Sequence, residues 1–240
     1  MNTYKTLRNE VDPKIVGVKH GAGQGFLDEE FYSNHPLYKD LFIYNDRWPL
    51  DIWKKWASWK EYGQQLRNIQ LYNSARKTDI LYIAGLRRGL IVSERVINIL
   101  NDFNLPDHNY FDITLNKNGE IISGYKWLCF NLETGEHTVN FQKCSYNFKY
   151  LISKGFTNYK KSDIKNYEDY ISIYNETGSA VLVNDLILNK NFNNQLDLWV
   201  TQFLTSKIYI SNRLIDALEA HNISGLNYED DIYDIYIESE

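Results

Sequence analysis

Residues 90–112 read Leu-Ile-Val-Ser-Glu-Arg-Val-Ile-Asn-Ile-Leu-Asn-Asp-Phe-Asn-Leu-Pro-Asp-His-Asn-Tyr-Phe-Asp, and they contain signals for three successive secondary-structure elements. A short apolar run ends at Ser93, whose hydroxyl can accept a hydrogen bond from the unpaired N–H groups of a first helical turn. Apolar residues then recur at helical spacing, at Val96, Ile97, Leu100 and Phe103. Pro106 ends the helix, and an aromatic, β-prone run follows it. The stretch therefore predicts a strand, a Ser-capped helix and a second strand.

The same unit recurs 118 residues later, at residues 208–230. Eight of the 23 positions are identical without a gap, and they include the pairs Ser93/Ser211, Arg95/Arg213, Asn104/Asn222 and Tyr110/Tyr228. Apolar residues are also kept at the pairs Val92/Ile210, Val96/Leu214 and Leu105/Ile223. Two copies are too few for a solenoid, so we expect either two copies within one α+β domain or two similar halves.

Arg95 and Arg213 are unusual at their positions, because a cation in the first turn of a helix opposes the helix dipole. A nearby carboxylate would compensate, and Asp112 and Asp230, which are equivalent in the two copies, are the natural candidates. The alternative is that each arginine binds a group of a partner. Ser93, Arg95, Ser211 and Arg213 are thus the structural residues of the repeat.

The rest of the chain is read as antiparallel β meanders with a few helices. Residues 110–115 and 120–132 predict two strands around a tight turn at 116–119, which contains Asn118 and Gly119. Shorter strands are predicted at 15–18, 170–174 and 180–183. We divide the chain into an N-terminal Trp-rich region, residues 1–85, packed on an α+β domain, residues 86–240.

Trp53, Trp56 and Trp59 lie three residues apart, which places their indoles on one helical face. Such a row could stack on sugars, nucleobases or aromatic side chains of a partner. Equally, it could pack against the core of the protein. Both interpretations stay open at the level of sequence.

Composition excludes several classes of function. The chain has 240 residues, 24% of them charged, with two cysteines and five histidines. The histidines show no zinc-enzyme spacing, no Ser lies in a nucleophile-elbow motif, and Cys129 lies in an alternating strand pattern. No window approaches the apolar run of about 20 residues that a membrane helix needs. We therefore expect a cytoplasmic protein without catalytic activity, metal, cofactor or membrane partner.

The charge is unevenly placed, because every Lys and Arg lies at or before Arg213. Residues 214–240 carry eight acids and no Lys or Arg, among them Asp230, Asp231 and Asp234. Such an end repels nucleic acid and attracts a cationic partner. The alternative is that these acids protect an edge strand against aggregation.

The second copy resembles the C-terminal signature of a bacterial immunity-protein family from polymorphic toxin systems. The matching residues are Ile210-Ser211-Asn212-Arg213-Leu214-Ile215-Asp216-Ala217-Leu218 and Ile223-Ser224-Gly225-Leu226. Asn212 stands where the family usually has Glu, whereas the first copy keeps it as Glu94. The resemblance covers the last third of the chain, more weakly residues 92–105, and not the first 80 residues.

The resemblance implies a protein that binds and neutralises one cognate toxin by direct contact and performs no catalysis. Tyr, Trp and Arg dominate interface hot spots, and an acidic surface attracts a cationic partner. We therefore expect the toxin to contact Asp230, Asp231, Tyr233, Asp234, Tyr236, Trp53 and Trp56. The acidic end predicts a basic toxin. The alternative function is a carbohydrate- or small-ligand-binding module that uses the Trp-rich segment.

Overall fold

The structure is a computed structural model that describes residues 4–19, 23–27, 69–84, 86, 89–179, 181–201, 204, 207–229 and 234–238. The described part of the chain has an α+β fold with largely antiparallel sheets, as the sequence predicts. Its strands are β1 (Tyr4–Asn9), β2 (Gly25–Leu27), β3 (Ile69–Leu71), β4 (Ile80–Leu81), β5 (Ile83–Ala84), β6 (Leu90–Ser93), β7 (His108–Asp112), β8 (Leu115–Lys117), β9 (Glu120–Ile122), β10 (Tyr125–Phe130), β11 (Ser145–Asn147), β12 (Leu182–Leu188), β13 (Leu198–Val200), β14 (Ile208–Ser211), β15 (Leu226–Glu229) and β16 (Asp234–Ile237).

The α-helices of the same residues are α1 (Pro13–Val16), α2 (Glu94–Leu100), α3 (Lys149–Ser153), α4 (Tyr167–Thr177) and α5 (Asn212–Ala220). A short 3-10 helix spans Lys161–Asp163. Helices α2 and α5 belong to the two copies of the repeat. The predicted caps are confirmed, because Ser93 accepts a hydrogen bond from the N–H of Val96, and Ser211 accepts one from the N–H of Leu214.

The two copies build two equivalent four-stranded sheets. The first has the strand order β4-β6-β10-β7, and the second has the order β13-β14-β1-β15. In the first sheet Tyr125 pairs with Ser93, and in the second Tyr4 pairs with Ser211. The central strand of the first sheet therefore follows its copy of the repeat along the chain, whereas that of the second comes from the start of the chain. The second sheet is a circular permutation of the first.

The permutation has a trace in the sequence. Strand β10 begins Tyr-Lys-Trp-Leu, and strand β1 begins Tyr-Lys-Thr-Leu, in the same register against their neighbours. Leu128 pairs with Tyr110 on the other side of β10, and Leu7 pairs with Tyr228 on the other side of β1. Each neighbouring pair is antiparallel in both sheets.

Three apolar clusters form the core. One lies between the two copies and contains Val96 and Leu100 of α2 with Leu214 and Leu218 of α5. A second lies under the five-stranded sheet β5-β2-β3-β8-β9 and includes the buried Trp127. The third surrounds the three-stranded sheet β11-β12-β16 and helix α4 and reaches the indole of Trp199 in the second copy. The copies are thus joined through a shared core rather than through a linker.

Two predicted strands are wrong. Residues 170–174 lie in helix α4, because Asn166 caps its first turn, acids occupy that turn and Gly178 ends it in a left-handed conformation with φ 64°. Residues 15–18 were expected to form a strand, but Asp12 caps helix α1, which begins at Pro13 and ends before Gly17. In both places the capping residues outweigh the β propensity of the apolar run.

The predicted tight turn is confirmed, but both strands predicted around it are divided. The predicted strand over residues 110–115 is interrupted after Asp112, so that β7 and β8 join different sheets. Strands β8 and β9 pair around Asn118 and Gly119, which have φ angles of 53° and 81°. Two positive φ angles are what a two-residue hairpin turn of the primed type requires. The predicted single strand over residues 120–132 is interrupted at Gly124, with φ 83°, so that β9 and β10 join different sheets. Residues 1–85 contribute strands to three of the four sheets, and the predicted division at residue 85 stays a prediction.

Candidate functional site

Each copy of the repeat contains one cluster of Asp, Ser and Arg. In the first, Asp79 accepts hydrogen bonds from the hydroxyl of Ser93 at 3.1 Å and from the guanidinium of Arg95 at 3.0 Å. The N–H of Ser93 also donates to the carbonyl of Asp79 at 2.8 Å. Strand β4 begins just after Asp79, and Ser93 ends β6, so the pairing of these two strands brings the three residues together.

The second cluster repeats this geometry with a tighter ion pair. Asp197 accepts from the hydroxyl of Ser211 at 2.6 Å and from Nε of Arg213 at 3.2 Å, and the Nη2 atom of Arg213 binds the other carboxylate oxygen. The N–H of Ser211 donates to the carbonyl of Asp197 at 2.9 Å. The side chain of Asp197 is fully buried, whereas that of Arg213 is 55% exposed. Such a two-point contact fixes both groups.

The carboxylate partner of each arginine differs from the prediction. Asp112 was expected to pair with Arg95, but it lies on strand β7 and forms its ion pair with Lys126 at 3.0 Å. Asp230, the expected partner of Arg213, lies outside the described residues. The interpretation as an intramolecular Arg–Asp pair is confirmed, with Asp79 and Asp197 as the acids. In each copy the positive charge in the first helical turn is therefore neutralised by an aspartate. This aspartate lies next to the strand that pairs with the strand before the helix.

A signal in the sequence could have identified both acids. Asp79 and Asp197 are separated by 118 residues, the offset of the repeat. The repeat therefore extends backwards by eleven positions, through a weakly similar stretch, to a shared aspartate. The shared aspartate is not evident at first because the clear similarity between the copies starts only at the apolar run that begins with Leu90.

The two clusters are held across the boundary between the copies. Asp197 accepts a hydrogen bond at 2.9 Å from the N–H of Asn104, which follows helix α2 of the other copy. Asp79 accepts at 3.0 Å from the N–H of Ser224, which follows helix α5, and at 2.8 Å from its hydroxyl. Each carboxylate therefore binds the loop after the helix of the opposite copy, as in a two-fold symmetric dimer fused into one chain.

The two arginines also contact the opposite copy. Arg95 donates to the carbonyl of His221 at 2.8 Å, and the guanidinium of Arg213 lies 4.9 Å from the ring centroid of Phe103. Phe103 and His221 are equivalent positions of the repeat, 118 residues apart. Both arginines thus contact the end of the helix in the other copy, one by a hydrogen bond and one by a cation–π contact.

The electrostatics of the clusters fit a structural role. Burial acts to raise the pKa of the Asp197 carboxyl, but hydrogen bonds from Arg213 and Ser211 outweigh it and lower the pKa. The pKa of Asp79 is lowered in the same way, because bonds from Ser224, Ser93 and Arg95 outweigh burial. Both carboxylates therefore stay ionised, and their oxygens already accept hydrogen bonds from this chain. Ser211 is fully buried, so a substrate cannot reach its hydroxyl.

Most of the predicted partner-binding residues lie outside the described part of the chain. This applies to Trp53, Trp56, Asp230, Asp231 and Tyr233, and their role stays a prediction. Strand β16 includes Asp234 and Tyr236, and the Tyr236 side chain is 53% exposed. Strand β16 pairs in parallel with β12 and forms one edge of the three-stranded sheet.

The acidic end is partly neutralised within the chain. Glu229 forms an ion pair with Arg8 of the neighbouring strand β1. Glu238 binds Lys143 at 2.6 Å and Asn140 at 3.1 Å, and these contacts, chiefly the bond from Lys143, lower the pKa of its carboxyl. The remaining described acids of this end include Asp216 and Glu219, both exposed on α5. Glu229 and Glu238 therefore help to hold the end of the chain against the body of the protein.

Two further observations concern the described residues only. Their His, Cys, Asp and Glu side chains form no group of three that could hold a metal ion. Within the same ranges, no helix combines the length and the apolar character required to cross a membrane.

Comparisons with known proteins add no family assignment. No model of a known protein family matches the chain. A search of curated proteins likewise finds no significant match. The resemblance to the immunity-protein signature therefore rests on residues 210–226 and on their equivalents in the first copy.

Proposed function

We propose that this protein is a cytoplasmic immunity protein, which binds one cognate bacterial toxin domain and neutralises it by direct contact. One observation carries the proposal: in each copy the Ser and the Arg of the signature bind one buried aspartate, and the two aspartates, Asp79 and Asp197, are at equivalent positions. The motif by which the chain resembles the immunity family thus specifies a rigid scaffold. An inhibitor needs such a scaffold to present a preformed surface, because pre-organisation lowers the entropy lost on binding.

The acidic end is the surface we propose for a basic toxin. Residues 214–240 carry eight acids, and two of them face cations of this chain. Of the others, we propose that Asp230, Asp231 and Asp234 attract the cationic partner. Charge complementarity of this kind raises association rates at low salt.

Growth rescue tests the function. A bacterium that expresses the toxin-like domain encoded beside this gene is grown with and without the full chain, and the two proteins are then co-purified. We expect restored growth and a stable one-to-one complex. Continued toxicity together with separate elution of the two proteins would contradict the proposal.

A charge variant tests the surface separately. The triple variant Asp230→Asn, Asp231→Asn and Asp234→Asn removes three charges from the acidic end. The matched control Glu94→Gln, Asp102→Asn and Glu120→Gln removes three exposed charges elsewhere. We expect the first variant, and not the control, to slow association about tenfold or more at low salt, and this difference to shrink at high salt. Equal association rates would assign the toxin to another surface.

A further inference from the structure

The five-stranded sheet buries one face and leaves the other open. Its inner face contributes apolar residues to the core, among them Leu27, Ile69, Leu71, Leu115 and Ile122. The outer face carries a row of register neighbours that crosses all five strands: Ala84, Phe26, Gln70, Asn116 and Ile121. No member of this row is charged. Phe26 is 40% exposed and Ile121 is 72% exposed, so this face meets solvent.

A groove of about 780 Å³ opens beside Phe26 and Gln70 of this row and extends over the turns that adjoin β3 and β8. Its apolar part includes an aromatic pair, Phe26 and Tyr72, whose ring centroids lie 5.4 Å apart at an interplanar angle of 44°, together with Val18 and Leu71. Its uncharged polar side chains are those of Gln70, Asn73, Ser74 and Asn118. The volume falls in the range of about 300–1,000 Å³ that is typical of small-ligand sites.

The polar side chains of the groove have unused hydrogen-bonding capacity. Gln70, Asn73, Ser74 and Asn118 form no side-chain hydrogen bond with another residue in the described ranges. Three amides and one hydroxyl together offer both donors and acceptors. They lie beside the exposed rings of Phe26 and Tyr72, whose faces can pack against C–H groups of a ligand.

Hydrogen bonds hold the loop after β3, which lines the groove, against two neighbouring segments. The side chain of Gln24, almost fully buried, donates to the carbonyl of Arg76 at 2.8 Å, and the backbone carbonyl of Gln24 accepts from the N–H of Tyr72 at 3.0 Å. Lys117 donates to the carbonyl of Ala75 at 2.6 Å, which links the loop to the hairpin. A site that is already ordered loses little conformational entropy when it binds.

We propose that this groove binds a short, neutral oligosaccharide. Sugar hydroxyls both donate and accept, which matches the amide and hydroxyl side chains, while sugar C–H faces pack on aromatic rings. A phosphate or carboxylate ligand would need several cations, and Lys19 is the one cation among the lining residues. The proposal uses none of the acidic residues and none of the tryptophans named above, and it does not depend on the toxin-binding proposal.

Titration of the full chain tests the proposal. Maltotriose, cellotriose, mannotriose and triacetylchitotriose are each added to ¹⁵N-labelled protein, and amide signals are followed by NMR. We expect at least one trisaccharide to shift the side-chain amide signals of Gln70, Asn73 and Asn118. Tyr72→Ala should weaken that binding about fivefold, because a stacked ring contributes about 1 kcal/mol.

Matched controls make the result decisive. Tyr150→Ala removes another exposed tyrosine, 54% exposed on helix α3, and should leave the affinity unchanged. Tyr72 is 44% exposed, so its variant should fold, which a thermal melt checks. The proposal is overturned if no trisaccharide shifts these signals at 10 mM, a concentration about tenfold above millimolar affinity. It is overturned equally if inorganic phosphate alone shifts them, or if Tyr72→Ala binds as tightly as Tyr150→Ala.

Discussion

Asp197 and Arg213 form a two-point ion pair in which the carboxylate is fully buried and the guanidinium is half exposed. The equivalent pair, Asp79 and Arg95, uses one guanidinium nitrogen against both carboxylate oxygens, at 3.0 and 3.3 Å. Both carboxylates also bind the loop of the opposite copy. The ion pairs therefore hold together the two halves of the fold as well as the start of each helix.

Removal of either buried carboxylate should destabilise the whole fold. Asp197→Ala leaves the N–H of Asn104, the hydroxyl of Ser211 and the guanidinium of Arg213 without their acceptor. We expect a loss of about 3 kcal/mol in the free energy of unfolding, measured by urea titration. Asp112→Ala, which removes an exposed ion pair with Lys126, should cost less than about 1 kcal/mol. Equal losses in the two variants would contradict a central role for Asp197.

The same carboxylate should make stability depend on acidic pH. The fold lowers the pKa of Asp197, so the ionised group stabilises the folded state above its unfolded pKa of about 4. That contribution is lost as the pH falls through the lower pKa of the folded state. We expect the stability difference between the unmodified chain and Asp197→Asn to be constant from pH 7 to 5 and to narrow below about pH 4. A difference that widens on acidification would show the opposite sign of shift.

The central strands of the two sheets should contribute equally despite their separation along the chain. Leu7 and Leu128 occupy equivalent register positions in β1 and β10, and both are buried in the core between the copies. Leu7→Ala and Leu128→Ala should each reduce the free energy of unfolding by about 2–4 kcal/mol, through lost burial and a residual cavity. Ile121→Ala, at a position 72% exposed, serves as the control. A loss at Leu7 no larger than that at Ile121 would show that β1 is dispensable.

A single glycine at the boundary between the copies should resist substitution. Gly225 has φ 95°, and a Cβ atom there would overlap the carbonyl oxygen of Ile80. Gly124 has a similar φ of 83°, but a Cβ atom there would meet nothing within 4 Å. Gly225→Ala should therefore cost more than Gly124→Ala, which carries the backbone strain of about 1 kcal/mol alone. Calorimetric melting of both variants gives the difference, and similar melting temperatures would exclude the overlap.

The sequence predicted the local units well, because their signals are local. Ser93 and Ser211 were identified as caps, and the Asn118–Gly119 turn was placed correctly, since each depends on a few neighbouring residues. Helix α4 was missed because its tyrosines and isoleucines have β propensity, and the capping signal of Asn166 was not weighed against it.

Long-range pairing could not be predicted in the same way. The Tyr-Lys-x-Leu pattern shared by β1 and β10 is too short to stand out before the register is known. The sequence suggested Asp112 and Asp230 as the partners of the two arginines, whereas the structure has Asp79 and Asp197 in those positions. Strand pairing decides which acid lies near each arginine, and this pairing is not evident from distance along the sequence. The open-face groove draws on four separate segments, and no single segment indicates it.

The position of β1 has a consequence for synthesis of the protein. The first sheet is complete once Phe130 has left the ribosome, because all four of its strands have then been made. Strand β1 is translated before all of them, yet both of its neighbours, β14 and β15, lie after residue 207. Its two edges stay without their partners while residues 10–207 are synthesised. The second sheet can close only after Glu229 has been made, whereas the first can close after Phe130, so the two halves of the fold, equivalent in space, mature at different times.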